Sequence, residues 1–539
     1  MARCVQKLLA ALLIASTTAT VTRAQNVAQG SLPAGLELIA TATSSQGGAP
    51  NFGVHSGDPR FLYVGEQNGR VRILDFSQPA PLLPIDFLNI EGVLGSTLLD
   101  DTGTGERGLL GAAFHPDFDN PANSNGFRKF YTFTSETFAS ATPHFFHQSE
   151  TPTYNHQSVI REWTVNEPNV LGAHTVNTRI PSRIVMRIAK PGPFHNGGSV
   201  VFGPDNYMYI SLGDGGGGGQ NGGNDGGNDV NANQGHTNPG NPDTDGGWMG
   251  QGNAQDRRNV YGSILRIKPT TDADPNTNDN GVGGGWRIPK DNPFTPDSNL
   301  PNPDAQWREN WVDEIYAYGF RNPFRISFDR GDPTKLYAAD VGQDRNTISR
   351  EEVSLITNGG NYGWVIKSGT EINDRPLNAP TNTYSPDIGV PLIDPIAQYP
   401  TTQLGHGGLA AIGGFVYRGS QIPWLQGKYV FGDLNRGDGS GGRLLYTDFA
   451  DPELNVFDLR VVGSVPKPTA FLHGVAEDAN GELYFLFGNG QIMRLIVPEP
   501  ATAALVLLAL CALAMGRNRR SGFPAIVGQA RATNAKLFT

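Results

Sequence analysis

Phe194–Gly216, FHNGGSVVFGPDNYMYISLGDGG, reads as a histidine on a glycine turn, an apolar run, a Pro-Asp-Asn turn, a second apolar run and an Asp-Gly-Gly exit. The runs Ser199–Phe202 and Tyr207–Leu212 carry β-branched and aromatic residues, and the turn between them marks an antiparallel hairpin. His195 enters one strand and Asp214 leaves the other, so a tight hairpin brings both to the same end. A base with an orienting carboxylate is what proton abstraction needs. The structural alternative is a histidine that caps a turn and an aspartate that closes a loop.

Working outward, the same pattern recurs from Asn51 on: a turn, a strand with an aromatic residue, then a glycine and a β-branched strand. GDPRFLYVGEQNGRVRILDF (Gly57–Phe76) and EDANGELYFLFGNGQIMRL (Glu477–Leu495) are two further instances. The aromatic strands fall at Leu62–Val64, Phe130–Phe133, Met208–Ser211, Leu336–Ala339, Tyr429–Asp433 and Leu483–Phe487. Six such units without long amphipathic helices between them predict an all-β chain, a six-bladed β-propeller of four-stranded antiparallel blades. A two-sheet sandwich would also supply many strands, but not this recurrence along the whole chain.

Composition agrees. Among 539 residues there are 69 Gly and 39 Pro, with 17% charged and 9% aromatic residues, which suits short strands joined by many turns. A net charge of -10 argues against nucleic acid as a partner. The two cysteines, Cys4 and Cys511, flank the expected domain at residues 25–496, which excludes disulfides and thiolate chemistry within it.

Both ends read as export and sorting segments. Arg3 and Lys7, the apolar run Leu8–Ala15 and Thr22-Arg23-Ala24 make residues 1–24 a secretory signal peptide, cut before Gln25. Residues 213–252 form a Gly/Asn/Asp-rich insertion with almost no apolar residue, expected as a surface loop; its spacing matches no EF-hand or nonapeptide calcium repeat. After Val497-Pro498-Glu499-Pro500 comes the apolar run Ala501–Met515 and then Arg517, Arg519 and Arg520. Residues 497–520 resemble the PEP-CTERM sorting signal of bacterial envelope proteins. The resemblance implies transient membrane contact through 501–515 and a processing protease as partner. The tail Ser521–Thr539 extends past the point where such signals stop.

Several segments together resemble the soluble quinoprotein glucose/sorbosone dehydrogenase family, which includes periplasmic aldose sugar dehydrogenases. They are Glu106–Phe118 (ERGLLGAAFHPDF), the opening hairpin with HNGG and GDGG, Ala254–Ile267 (AQDRRNVYGSILRI), Glu314–Pro323 (EIYAYGFRNP), Asp340–Gln343 (DVGQ), Gly359–Trp364 (GGNYGW) and Gly413–Gly419 (GGFVYRG). The resemblance implies a six-bladed propeller that binds pyrroloquinoline quinone (PQQ) and calcium (Ca2+) in a central pocket. It implies oxidation of an aldose at the hemiacetal carbon, with an external electron acceptor, in the periplasm or outside the cell. By motif, His195 is the general base and Asp214 orients it. Arg321 and Asn322 contact the quinone oxygens, Arg418 binds a PQQ carboxylate, and the carbonyls of Gly342 and Gln343 help hold calcium. Glu106 falls near the substrate. Between Tyr429 and Leu445 further cofactor-binding cations are expected, Arg436 first and Arg443 second.

These residue types suit the chemistry. Oxidising a hemiacetal needs a base for its hydroxyl and an electrophile for the hydride, and a trianionic cofactor needs arginines. Arg321 pinning a loop and Arg418 in a surface ion pair are the structural alternatives. His115, His406 and His473 read as structural or rim residues. Two rival functions are a non-catalytic carbohydrate- or protein-binding envelope propeller and a calcium-dependent lactonase-type hydrolase. The hydrolase would need metal-binding side chains converging on the axis, and no such set is visible in the sequence.

Overall fold

The hairpin forms where its sequence places it: Val200–Phe202 pairs antiparallel with Met208–Leu212, and Phe202 stands opposite Met208. The protein is seen in a computed structural model. Its described residues are 27–42, 48–101, 105–138, 142–145, 154–216, 253–280, 285–295, 311–343, 349–364, 366–372, 391–401, 407–436, 438, 440–451 and 455–498. The expected leader, most of the Gly/Asn/Asp-rich insertion, and the sorting signal and tail from 499 on lie outside them.

The described chain is all-β apart from short turns of helix, with Ile90–Leu94 capped by the Asn89 side chain. Four sheets of four strands follow one another. The first pairs Pro50–Val54, Phe61–Glu66, Arg70–Asp75 and Leu82–Asn89; the second pairs Leu109–Phe114, Lys129–Glu136, His156–Thr164 and Arg183–Lys190. The third adds Ser263–Ile267 and Ile315–Tyr318 to the opening hairpin; the fourth holds Pro323–Asp329, Asp332–Asp340, Arg350–Ile356 and Ala397–Pro400. Two two-stranded ribbons, Thr277–Asn280 with Arg287–Pro289 and Lys367–Ser368 with Glu371–Ile372, and an eight-stranded sheet accompany them. On one side of it lie Ala411–Val416, Tyr429–Asp433, Arg443–Thr447 and Val456–Val461; on the other, Leu472–Glu477, Leu483–Phe487 and Gln491–Ile496. The N-terminal strand Ala28–Thr41 joins the two sides, running parallel to Val456–Val461 and antiparallel to Gln491–Ile496.

The strands Pro50–Val54, Leu109–Phe114, Val200–Phe202, Pro323–Asp329, Ala411–Val416 and Leu472–Glu477 each contact the next, and the last contacts the first. The result is a propeller-like arrangement around an axis. Each predicted aromatic strand is the second strand out from that axis, where both faces are covered. There the two-residue side-chain period splits one strand between two interfaces. Tyr63 packs with Phe114 and Phe130 of the second sheet, while Leu62 and Val64 pack with Tyr484 and Leu486 of the eight-stranded sheet. In the opening hairpin Met208 and Ile210 face Tyr131 and Phe133, and Tyr209 faces Ile326 and Leu336. The core is therefore a series of wedges between neighbouring sheets. Among the described residues no helix is long and apolar enough to cross a membrane.

Candidate active site

His195 lies just before Val200–Phe202 and Asp214 just after Met208–Leu212, so the hairpin delivers both to one end of the axis. Nδ1 of His195 is 2.7 Å from Oδ1 of Asp214, and both side chains are buried. The other carboxylate oxygen, Oδ2, accepts the indole N–H of Trp364 at 2.9 Å. Burial alone would raise the Asp214 pKa; the bonded imidazole, the Arg321 charge and the Trp364 N–H outweigh it and hold the carboxyl below its usual range. An ionised carboxylate can only accept, which assigns a proton to Nδ1 and, in the neutral ring, leaves Nε2 as the base.

The backbone here is as specialised as the side chains. His195 has φ 53°, a left-handed conformation that costs a non-glycine residue about 1 kcal/mol or more. The two loops of the hairpin pack so closely that a Cβ on Gly213 would lie 2.2 Å from the His195 carbonyl oxygen. Glu106 accepts the backbone N–H of His195 at 2.6 Å and, more weakly, that of Asn196 at 3.4 Å. Lys190, which the sequence reading missed, donates to the His195 carbonyl at 3.0 Å. Trp364 closes the GGNYGW motif, and 150 residues separate it from Asp214, so no local pattern shows the contact.

Arg321 and Asn322 enter Pro323–Asp329 at this same end. Their backbone N–H groups donate to the two oxygens of Asp340, at 2.9 and 2.6 Å. Asn322 Oδ1 accepts the N–H of Gly197, tying this loop to the histidine turn. The Arg321 guanidinium donates to the Val341 carbonyl and lies over the Trp364 ring, while its Nε is buried without a partner among the described residues. Gly342 donates its N–H to Glu351, whose other oxygen, like Oε1 of Gln343, is buried without a partner among the described residues. Among the described residues no group of three or more His, Cys, Asp or Glu side chains is arranged to hold a metal.

Two predicted cofactor residues are not brought to this group. Arg418 follows the exit of Ala411–Val416 and forks onto Asp329 at 2.8 and 2.7 Å. Asp329 ends the strand that Arg321 precedes, so Arg418 stands at the opposite end of the sheets, roughly 20 Å away at about 3.3 Å per strand residue. Its placement follows from the apolar run lying before it rather than after it. Arg436 is on the right end, but it turns outward to Asp458 on Val456–Val461, the fourth strand from the axis, which it shares with Arg443. His115 accepts the N–H of Asp117 and packs on Phe202, away from the dyad; His406 lies outside the described residues.

Four buried carboxylates surround the Arg321 side of the site. Burial pushes Asp340 up to about 7 and Asp433 up to about 6, while Glu351 and Glu352 are each pushed up to about 8. In each case the folded state holds a proton that the unfolded chain releases at lower pH. The stabilisation is therefore complete below the unfolded carboxylate pKa, about 4, and is lost as pH rises through the folded values. The thermal midpoint is expected to fall between about pH 5 and about pH 8.5, and Glu351→Gln is expected to flatten that fall. Calorimetry over this range checks it; a midpoint that rises with pH is the opposing result.

The chain thus presents an all-β propeller-like body with a buried histidine–aspartate pair at one end of its axis. A family model described as Glucose / Sorbosone dehydrogenase matches residues 56–494, and the chain belongs to that family. Among curated proteins it is 28% identical to the HIPL1 protein of Arabidopsis thaliana over 433 residues, which is 73% of this chain and 54% of that protein. It is 27% identical to the Hedgehog-interacting protein of Homo sapiens over 72% of this chain and 41% of that one. It is also 28% identical to quinoprotein glucose dehydrogenase B of Acinetobacter calcoaceticus, over 49% of this chain and 41% of that one. The chain spans between 41% and 57% of the length of the curated relatives it matches. Among solved structures, the soluble aldose sugar dehydrogenase of Escherichia coli in its apo form superposes with a TM-score of 0.51 at 17% identity. That match covers 86% of this chain and 99% of the other, and supports the fold.

Proposed function

We propose that this protein is an exported quinoprotein that oxidises an aldose at its hemiacetal carbon, with His195 as the base. The observation that carries the reading is the His195–Asp214–Trp364 relay standing beside an Arg321 whose buried Nε lacks a partner among the described residues. The reading takes the eight-stranded sheet as two blades joined by Ala28–Thr41, which makes six blades in all.

The residues present fit the quinone end of PQQ. Arg321 offers an Nε–H that has no partner among the described residues, and Asn322, whose Oδ1 is used by Gly197, follows it in the same loop. Calcium suits the carbonyls of Gly342 and Gln343 with the orphaned oxygens of Gln343 and Glu351 beside them. When bound, PQQ supplies the electrophile that accepts the hydride. The chain's own part is to remove the proton. His195 Nε2 takes it from the sugar hydroxyl, Asp214 stabilises the resulting imidazolium, and Trp364 keeps that carboxylate aimed. The external electron acceptor, the envelope location, periplasmic or extracellular, and the processing protease at the C-terminus belong to the same proposal.

A second reading, a binding propeller without turnover, is favoured by one observation. Of the four arginines expected to grip the cofactor, Arg321 stands at the dyad, while Arg418 is held by Asp329 and both Arg436 and Arg443 by Asp458. Titration with PQQ and calcium decides between the two. The proposal expects saturable binding, weakened in Arg321→Ala by about 1.5–3 kcal/mol, the scale of a charge-assisted hydrogen bond. Absence of saturable binding by the native protein selects the second reading. Calcium is also expected to raise the thermal midpoint more at about pH 8 than at about pH 5, because its neighbours are carboxylates that ionise between the two. Equal shifts at both values would remove calcium from this place.

A further inference from the structure

We propose that Lys190 is a positioning residue, whose ammonium holds the His195 carbonyl and so fixes the left-handed turn that aims the imidazole at Asp214. The inference rests on the reading of His195 as the base. Lys190 ends Arg183–Lys190, the outermost strand of the second sheet, and has no accessible surface. A lysine buried to that degree is expensive unless its charge is used, and it is ordinarily found against a carboxylate. Here the hydrogen bond goes to a peptide carbonyl, 3.0 Å away, and the ammonium lies 5.5 Å from the centre of the Tyr261 ring. Burial lowers its pKa to about 8, while the charges of Asp214 and Glu106 act to raise it.

The carbonyl it holds belongs to the residue with φ 53°, packed against the loop that carries Asp214. On the other side of the same α-carbon, Glu106 holds the N–H. The two peptide groups flanking His195 are thus gripped by side chains of opposite charge. A carbonyl buried at such a place must find a donor or turn away, and turning would carry the ring off Asp214.

Lys190→Met keeps the length and bulk of the side chain and removes the donor. Histidine labelled with 15N gives a readout independent of turnover: the exchange-protected Nδ1 proton shared with Asp214, assigned by its absence in His195→Gln. Lys190→Met is expected to lose that resonance and to lower kcat by about 10–100-fold while KM stays within about threefold, as a misplaced base would. Lys190→Gln, shorter and uncharged but still a donor, serves if the methionine variant does not fold. It is expected to shift the resonance and lower kcat by about three- to tenfold. A folded variant of either kind that keeps the native resonance and the native kcat overturns the proposal. If the native protein shows no dehydrogenase turnover, the functional reading fails, and the resonance alone decides the role of Lys190.

Discussion

His195→Ala is expected to lower kcat by about 10²–10⁴ in a folded, PQQ-loaded protein, with cofactor affinity little changed. The ring makes its side-chain contact with Asp214 and is buried with it, so its loss removes the base without removing a cofactor ligand. Asp214→Asn is expected to cost nearly as much. The Trp364 N–H, at 2.9 Å, calls for an acceptor at Oδ2, and the Gly216 N–H, at the longer 3.2 Å, calls for one at Oδ1; an asparagine that keeps the shorter bond places its oxygen toward Trp364 and its NH2 toward His195. Nδ1 would then have to accept, the proton would move to Nε2, and the base would be lost. Trp364→Phe frees the amide to turn, and in combination with Asp214→Asn is expected to recover part of the rate. Stopped-flow measurement of cofactor reduction by an aldose checks all three. Near-native turnover by His195→Ala removes the residue from the mechanism.

What the sequence reveals of this site follows the distance over which its contacts act. The dyad is legible because His195 and Asp214 belong to one hairpin, whose turn and two-residue period are local properties. Arg321 and Asn322 are legible only through a family motif. They join the dyad through contacts distant in sequence, the Gly197 N–H on Asn322, 125 residues apart, and the Asp214 N–H on the Arg321 carbonyl at 2.8 Å. The misplacement of Arg418 has a simple origin: motif order says which strand a residue adjoins, but the two ends of a strand are different places. Lys190 is close in sequence to His195, yet nothing in RIAKPGPFH tells that its side chain turns inward, since buried lysines are rare. The aromatic second strands were the easiest to read, because a strand covered on both faces is apolar at nearly every position.

The strand Ala28–Thr41 was the least legible, and its removal has the largest expected effect on folding. AQGSLPAGLELIAT holds two glycines and a proline and alternates only near its end, so it lacks the signature of a strand. Its partners are also more than 400 residues away: Gly35–Leu38 pair with Arg494–Ile496 and Met493, while Ala28, Gln29, Pro33 and Ala34 pair with Val456–Val461. The ladder shifts register between Gln29 and Pro33, where proline has no N–H to give, and the Pro33 carbonyl accepts the Trp424 indole N–H instead. Ala34 and Leu36 are buried in the wedge that also holds Val430, Leu444, Leu483 and Phe485. Deleting the strand would expose this wedge and leave two strand edges unpaired. Several hydrogen bonds at about 1 kcal/mol each and a buried leucine at about 2 kcal/mol together approach the 5–15 kcal/mol that holds a typical domain. A chain beginning at Ala42 is therefore expected to lose cooperative unfolding or to aggregate, compared with one beginning at Gln25. A synthetic peptide covering residues 25–42, added during refolding, is expected to restore a cooperative transition, followed by circular dichroism. An Ala42 chain that melts cooperatively at the midpoint of the longer one would show that the two sides of the eight-stranded sheet hold together without the strand between them.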